Sequence, residues 1–107
     1  HLSPLDPQKY YFEMMLANSY LAMGRLDQAI TLCRSSLAKN RYHLPTLRAM
    51  LISQDEMGLV DEARETFATI LALQPDLTLT KYLAAGSHSR LRQRGARVFA
   101  ELGLRQH

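Results

Sequence analysis

Met23-Gly24-Arg25-Leu26-Asp27-Gln28-Ala29-Ile30 returns 34 residues later as Met57-Gly58-Leu59-Val60-Asp61-Glu62-Ala63-Arg64, with Gly24 and Gly58, Asp27 and Asp61, and Ala29 and Ala63 in one register. A glycine free to enter the left-handed region ends one helix, and an aspartate three residues on is placed to cap the next. Each copy therefore predicts a tight helical hairpin. Two copies in one register predict a repeat.

The flanking sequence supplies the helices that these turns join. In Ser3-Pro4-Leu5-Asp6-Pro7 the prolines delay any helix until Asp6 can cap and Pro7 can fill the first turn. The first helix is then expected to reach about Met23. Its apolar residues Tyr10, Phe12, Met15, Leu16, Ala17 and Tyr20, extended by Met14, Leu21 and Ala22, cover an arc wide enough for burial on more than one side. The second helix, about Asp27 to Lys39, turns Ala29, Ile30, Leu32, Cys33, Ser36 and Leu37 inward and Gln28, Arg34, Ser35 and Lys39 outward. Pro45 suits the first turn of a third helix, about Leu44 to Met57, striped by Leu47, Met50, Leu51 and Gln54. The fourth, about Asp61 to Leu73, carries Ala63, Phe67, Ile70 and Leu71 and stops before Gln74-Pro75. Beyond it a short helix over Asp76 to Ala84 is expected to cover the second hairpin with Leu77, Leu79, Tyr82 and Leu83. After the Gly86-Ser87 break, Ser87 or Ser89 starts a last helix that runs to about Leu102 and ends at Gly103. Leu91, Val98 and Leu102 share one face of that helix. Arg90, Arg94, Arg97 and Glu101 share the other.

Composition narrows the chemistry. The 107 residues are 47% hydrophobic with 5 Gly and 4 Pro, which suits one small ordered domain with its own core. Cys33 is the single cysteine, so the chain holds no internal disulfide, and its repeat position marks it as a packing residue. No apolar run is long enough to span a bilayer and no signal peptide is visible, which makes a cytoplasmic setting the expectation. Residues 87 to 107 hold 5 Arg and 1 Glu, so the formal net charge of +3 is a property of the tail. A basic face of Arg90, Arg94 and Arg97 suits an anionic partner such as nucleic acid or lipid head groups. Without interleaved aromatics it reads better as the solvated side of a capping helix, and neither nucleic acid nor membrane is expected as a partner.

Catalytic and metal-binding signals are weak. His1, His43, His88 and His107 are scattered over turns and termini, read as surface residues, and form no helical pair. The acidic pairs Asp55-Glu56 and Asp61-Glu62 lie at a helix end and a helix start. No Gly-rich phosphate loop or serine nucleophile motif is present, so no catalytic residue, metal site or cofactor is expected.

The period and the hairpin resemble tetratricopeptide repeats. The family's Trp, Leu, Gly and Tyr of the leading helix fall on Glu13, Leu16, Ala17 and Tyr20 in the first copy and on Leu47, Met50, Leu51 and Gln54 in the second. Its Ala, aromatic and Pro fall on Ala29, Cys33 and Arg41, then on Ala63, Phe67 and Pro75. The second-helix positions match best. The resemblance implies an all-α fold of antiparallel hairpins stacked as a short right-handed α-solenoid, with residues 1–9 as the tail of a preceding repeat or linker, 10–43 and 44–77 as repeats, and 78–107 as capping helices. It also implies a groove lined by the leading helices, with Tyr11, Met14, Asn18 and Leu21 on the first and Arg48, Ile52 and Asp55 on the third free to meet a protein or peptide. Asn18 offers two-sided hydrogen bonding, Arg48 a carboxylate contact, and Tyr11 with Met14 adaptable apolar contact. Met14 and Leu21 can equally pack against a preceding repeat or another chain, and self-association through the open first helix is a further expectation.

Leu2 to Pro7, the Ala22 to Ala29 hairpin, Pro75-Asp76-Leu77 and Arg97 to Leu104 also look like the C-terminal repeat region of bacterial proteins with an N-terminal class III adenylate or guanylate cyclase domain. Comparable regions follow winged-helix transcription-regulator domains. Either resemblance implies a sensory or assembly module excised from a longer signalling protein, with none of a cyclase's own site residues in this chain.

Overall fold

The computed structural model describes residues 8–85 and 89–107; Asp6, Pro7, His1, His88 and the Gly86-Ser87 break lie outside them. Among the described residues all regular structure is helical: α1 (Lys9–Ala22), α2 (Leu26–Lys39), α3 (Leu44–Glu56), α4 (Val60–Leu73), α5 (Leu79–Ala84) and α6 (Arg90–Glu101).

The two repeated glycines make the same bend. Gly24 and Gly58 have φ of 78° and 79°, a region that costs a residue with a Cβ. In the first turn the Gly24 N–H donates to the Leu21 carbonyl (3.0 Å) and the Arg25 N–H to that of Tyr20 (2.8 Å). In the second, Gly58 donates to Asp55 (3.0 Å) and Leu59 to Gln54 (2.9 Å). This pair of bonds is the Schellman arrangement, and it satisfies carbonyls that a helix end would leave orphaned. It also corrects the expected caps. Because the residue after each glycine already stands at the N-cap of the next helix, α2 and α4 start from Arg25 and Leu59, with no side-chain cap. Asp27 and Asp61 therefore lie inside the first turn, where their charge opposes the positive helix end.

The helices pack in sequence, α1 on α2, α2 on α3 and α3 on α4, while α1 also touches α3. Burial falls differently from the sequence expectation. It is α3 that is enclosed nearly all round, from Thr46 through Gln54, because it has a hairpin on one side and the C-terminal helices on the other. Helix α1 buries Met14, Ala17 and Leu21 but leaves Phe12, Met15 and Leu16 about half exposed.

The C-terminal part is more than a lid. Helix α5 starts at Leu79, later than expected, because Thr78 caps it by accepting from the Lys81 N–H (3.1 Å). Ser89 caps α6 by accepting from the Arg92 N–H (3.1 Å), and Gly103, at φ 99°, closes that helix with the same pair of bonds as the two hairpins. The chain then returns to α5, where the Leu79 and Thr80 N–H groups donate to the carbonyls of Arg105 and Gln106. Helix α6 itself lies on α1, α3 and α5. It therefore crosses the leading helices of both hairpins.

Candidate functional site: the face shared by α1, α3 and α6

The face of the leading helices is partly filled by the chain's own α6. Arg94 holds it there. Its guanidinium clasps the Glu56 carboxylate with two bonds, one from Nε to Oε2 at 2.8 Å and one from Nη2 to Oε1, and donates a third to the Leu21 carbonyl (2.9 Å). Glu56 closes α3 and Leu21 lies in the last turn of α1, so one side chain ties the ends of both leading helices to α6. The Glu56 bonds raise the Arg94 guanidinium above its ordinary pKa, so it is cationic at every accessible pH. Gly95 follows directly, and its missing side chain lets α6 approach Tyr82 and Ile52 closely. Phe99 then packs edge-on to Tyr82 with ring centroids 4.8 Å apart and lies 5.9 Å from Phe67.

Beside this contact the face remains open. A hollow of about 180 Å³ is lined by Asn18, Pro45, Arg48, Ala49 and Ile52 from α1 and α3 and by Tyr82, Ser89, Leu91 and Arg92 from the C-terminal part. A second, of about 410 Å³, shares Arg48, Tyr82 and Arg92 and extends past Leu73, Gln74, Pro75, Lys81 and Asp76, whose carboxylate makes no ion pair with either arginine. Arg92 stacks on the Tyr82 ring, 4.5 Å from its centroid, and donates to the Tyr82 carbonyl (3.2 Å). Burial lowers the Arg48 guanidinium below its ordinary value; the Tyr82 hydroxyl opposes that and the like charge of Arg92 adds to it. Burial likewise raises the Tyr82 phenol. Neither Arg48 nor Arg92 pairs with a carboxylate among the described residues. Two cations thus share a concave site beside the amide of Asn18.

The other expected groove residues separate into two sets. Asn18 and Arg48 line the open hollow, and Asn18 Nδ2 donates to Met14 Sδ (3.1 Å). Met14, Leu21 and Ile52 are buried, while Tyr11 is exposed and Asp55 half-buried, away from either hollow. The basic face divides too: Arg90 and Arg97 are exposed, but Arg94 is committed to Glu56 and Leu21. The sequence pattern does not mark Arg92, Tyr82, Ser89 and Leu91 as groove residues. Nothing local in the sequence says that α6 folds back across α3.

The opposite end of the leading helices holds a proton-ordered chain. Ser36 Oγ donates to the Tyr10 carbonyl (2.7 Å), which can only accept. Having spent its proton, Ser36 must accept from Thr46 Oγ1 (3.0 Å), and Thr46 in turn must accept from His43 Nδ1 (2.7 Å). Half-buried His43 therefore carries its neutral-state proton on Nδ1, with its ring edge-on to Tyr10 at 4.9 Å. This corrects its reading as a surface residue. Burial, and secondarily Arg48, lowers its pKa from 6.5. Below that value the unfolded chain binds the proton more readily than the native one, so the contribution of neutral His43 to stability is lost as the pH falls through about 6.5. Thermal unfolding of His43→Asn, which keeps a donor near Nδ1, is expected to lose less stability than the native chain between about pH 7.5 and 5.5. Equal losses would exclude His43 as the cause.

Glu13 stands where the family places a tryptophan. It is buried between α1 and α2, accepts from Ser35 Oγ and pairs with Lys39 Nζ (3.0 Å), so Ser35 is half-buried and Lys39, still exposed, turns its ammonium toward α1. Burial raises the Cys33 thiol to about 12, which leaves it uncharged and unreactive. Among the described residues no cluster of three or more His, Cys, Asp or Glu is arranged for a metal ion, and no helix is long and apolar enough to cross a membrane.

Comparison with known proteins agrees with this architecture. A family model described as Tetratricopeptide repeat matches residues 20–86, more than half of the chain and the span from the end of α1 through α5. No curated protein and no solved structure matched.

Proposed function

The chain belongs to the tetratricopeptide repeat family, a non-catalytic interaction fold whose members generally bind proteins or peptides, and on that premise we propose that it grips a polypeptide through a carboxylate. The observation that supports this reading is the pair Arg48 and Arg92, which opens on one hollow beside Asn18 without an acidic partner among the described residues. Guanidinium forks match a carboxylate two-sidedly, and an amide beside them suits the backbone of an extended segment. Leu91 and Ile52 in the same wall add apolar contact.

Fluorescence anisotropy with a labelled hexapeptide mixture, once with free C-terminal carboxylates and once amidated, tests the assignment. Charge-assisted hydrogen bonds contribute about 1.5–3 kcal/mol, so Asn18→Ala with Arg48→Ala is expected to weaken binding of the free-acid mixture by about tenfold or more. Unchanged binding moves the site elsewhere. The division into repeats at 10–43 and 44–77 with a cap at 78–107, and a cytoplasmic sensory or assembly role, belong to the same proposal. Attachment to a bacterial cyclase domain or to a winged-helix regulator rests on the sequence resemblance, and the reading frame upstream of His1 tests it. A nucleic acid or membrane surface is the weaker alternative, because Arg94 is withdrawn from the basic face by Glu56.

A further inference from the structure

The two arginines of the concave face stand between two openings and close neither. Arg48, Tyr82 and Arg92 form the wall that the hollow of about 180 Å³ and the hollow of about 410 Å³ have in common. On the smaller side the rest of the lining is uncharged, with the amide of Asn18 and the hydroxyl of Ser89 among its polar groups. On the larger side Lys81 and Asp76 carry opposite charges, and Lys81 Nζ is turned to the Asp76 carbonyl (3.0 Å), so together they add no surplus of either sign. The unbalanced positive charge of the whole concavity therefore sits at its waist. Each side offers an amide, Asn18 on one and Gln74 on the other.

That distribution of charge selects among ligands. A chain-terminal carboxylate is matched by donors that converge where a groove ends. Here the guanidinium groups lie midway, and a chain end reaching them from one side would make no use of the other hollow. An acidic side chain within an extended segment uses both, its carboxylate forked by Arg48 and Arg92 while the backbone runs out in the two directions. Gln74 points the same way. Its Oε1 is shut away from solvent and has no hydrogen-bond partner among the described residues, and a buried acceptor without a donor is costly. An amide oxygen calls for an N–H and repels a carboxylate, and the terminal torsion of a glutamine is soft enough to turn the oxygen toward a donor in the hollow. The backbone of a continuing chain supplies that N–H. On the premise of the carboxylate-binding reading above, we propose that the ligand is an extended polypeptide segment with an internal Asp or Glu, threaded through both hollows with that side chain at Arg48 and Arg92.

Fluorescence anisotropy of the native chain with three nonapeptide mixtures tests this, each labelled at its N-terminus and randomised over uncharged residues outside the central position. One has a central Glu and an amidated C-terminus, one a central Gln and an amidated C-terminus, and one a central Gln and a free C-terminal carboxylate. The central-Glu mixture is expected to bind about tenfold or more tightly than either of the others, and Arg92→Gln to remove most of that preference. Gln74→Leu is expected to weaken binding of the central-Glu mixture by about threefold or more while the helical circular dichroism stays unchanged. Binding of the free-acid mixture as tight as that of the central-Glu mixture overturns the internal placement and leaves the carboxylate reading standing. No preference for either acid over the central-Gln amide overturns both. Undiminished binding by Gln74→Leu keeps the segment out of the larger hollow and overturns its passage through the two.

Discussion

Phe99→Ala is expected to cost about 3–5 kcal/mol, the range for truncating a fully buried aromatic side chain. Phe99 is 1% exposed, and its ring meets Tyr82 of α5 and Phe67 of α4. One side chain therefore joins three elements. Truncation removes its transfer free energy, leaves a cavity that neighbours anchored on separate helices cannot collapse to fill, and abolishes two aromatic contacts of about 0.5–1.5 kcal/mol each. Native stability is only about 5–15 kcal/mol, so the loss is a large fraction of it. In thermal unfolding followed by circular dichroism the midpoint should fall by more than about 10 °C, given about 4–8 °C per kcal/mol for a domain of this size. Because repeat stacks open from their ends, trypsin should cut within α6 before it cuts α2 or α3. A midpoint within a few degrees of the native chain would show that α6 contributes little to the fold.

That dependence on α6 explains which parts of the molecule were legible beforehand. The hairpins were readable because their information is local: a glycine forced to positive φ, a period of 34, and apolar spacing within single helices. The starts of α2 and α4 were misplaced because Asp27 and Asp61 suit a cap by type, while the backbone bonds of Arg25 and Leu59 had already set the register. The site was half legible. Asn18 and Arg48 follow from helix periodicity once a groove is supposed, but Arg92 and Tyr82 enter it only through the return of the chain across α3. The clasp of Arg94 on Glu56 joins residues 38 apart with no pattern between them. Likewise the buried Glu13 replaces an aromatic position, and only the approach of Ser35 and Lys39 shows how its charge is accommodated.

Gly95→Ala separates helix propensity from packing at the contact that holds α6 in place. Gly95 lies inside α6 with ordinary helical geometry, and alanine there should gain about 1 kcal/mol on propensity alone. Packing opposes this. A Cβ would collide with the Tyr82 hydroxyl and lie 2.9 Å from Cζ of the same ring and 3.2 Å from Ile52 Cδ1. Tyr82 is only 5% exposed, with Phe99 against its edge and Arg92 stacked on its face, so its ring cannot swing clear without disturbing both. Overpacking of this kind costs about 1–3 kcal/mol, so the collision outweighs the propensity gain and alanine should destabilise the chain by about 1–2 kcal/mol. Leucine should cost more, because its added carbons must enter the same space between Tyr82 and Ile52. Displacing α6 would break the Arg94 bonds to Glu56 and Leu21, uncover Leu21 and Ile52, and raise the fluorescence of an apolar-surface dye. Urea unfolding of Gly95→Ala and Gly95→Leu, beside the exposed control Gln93→Ala, measures the balance. A Gly95→Ala chain more stable than the native one would mean that α6 does not press on Tyr82 and Ile52.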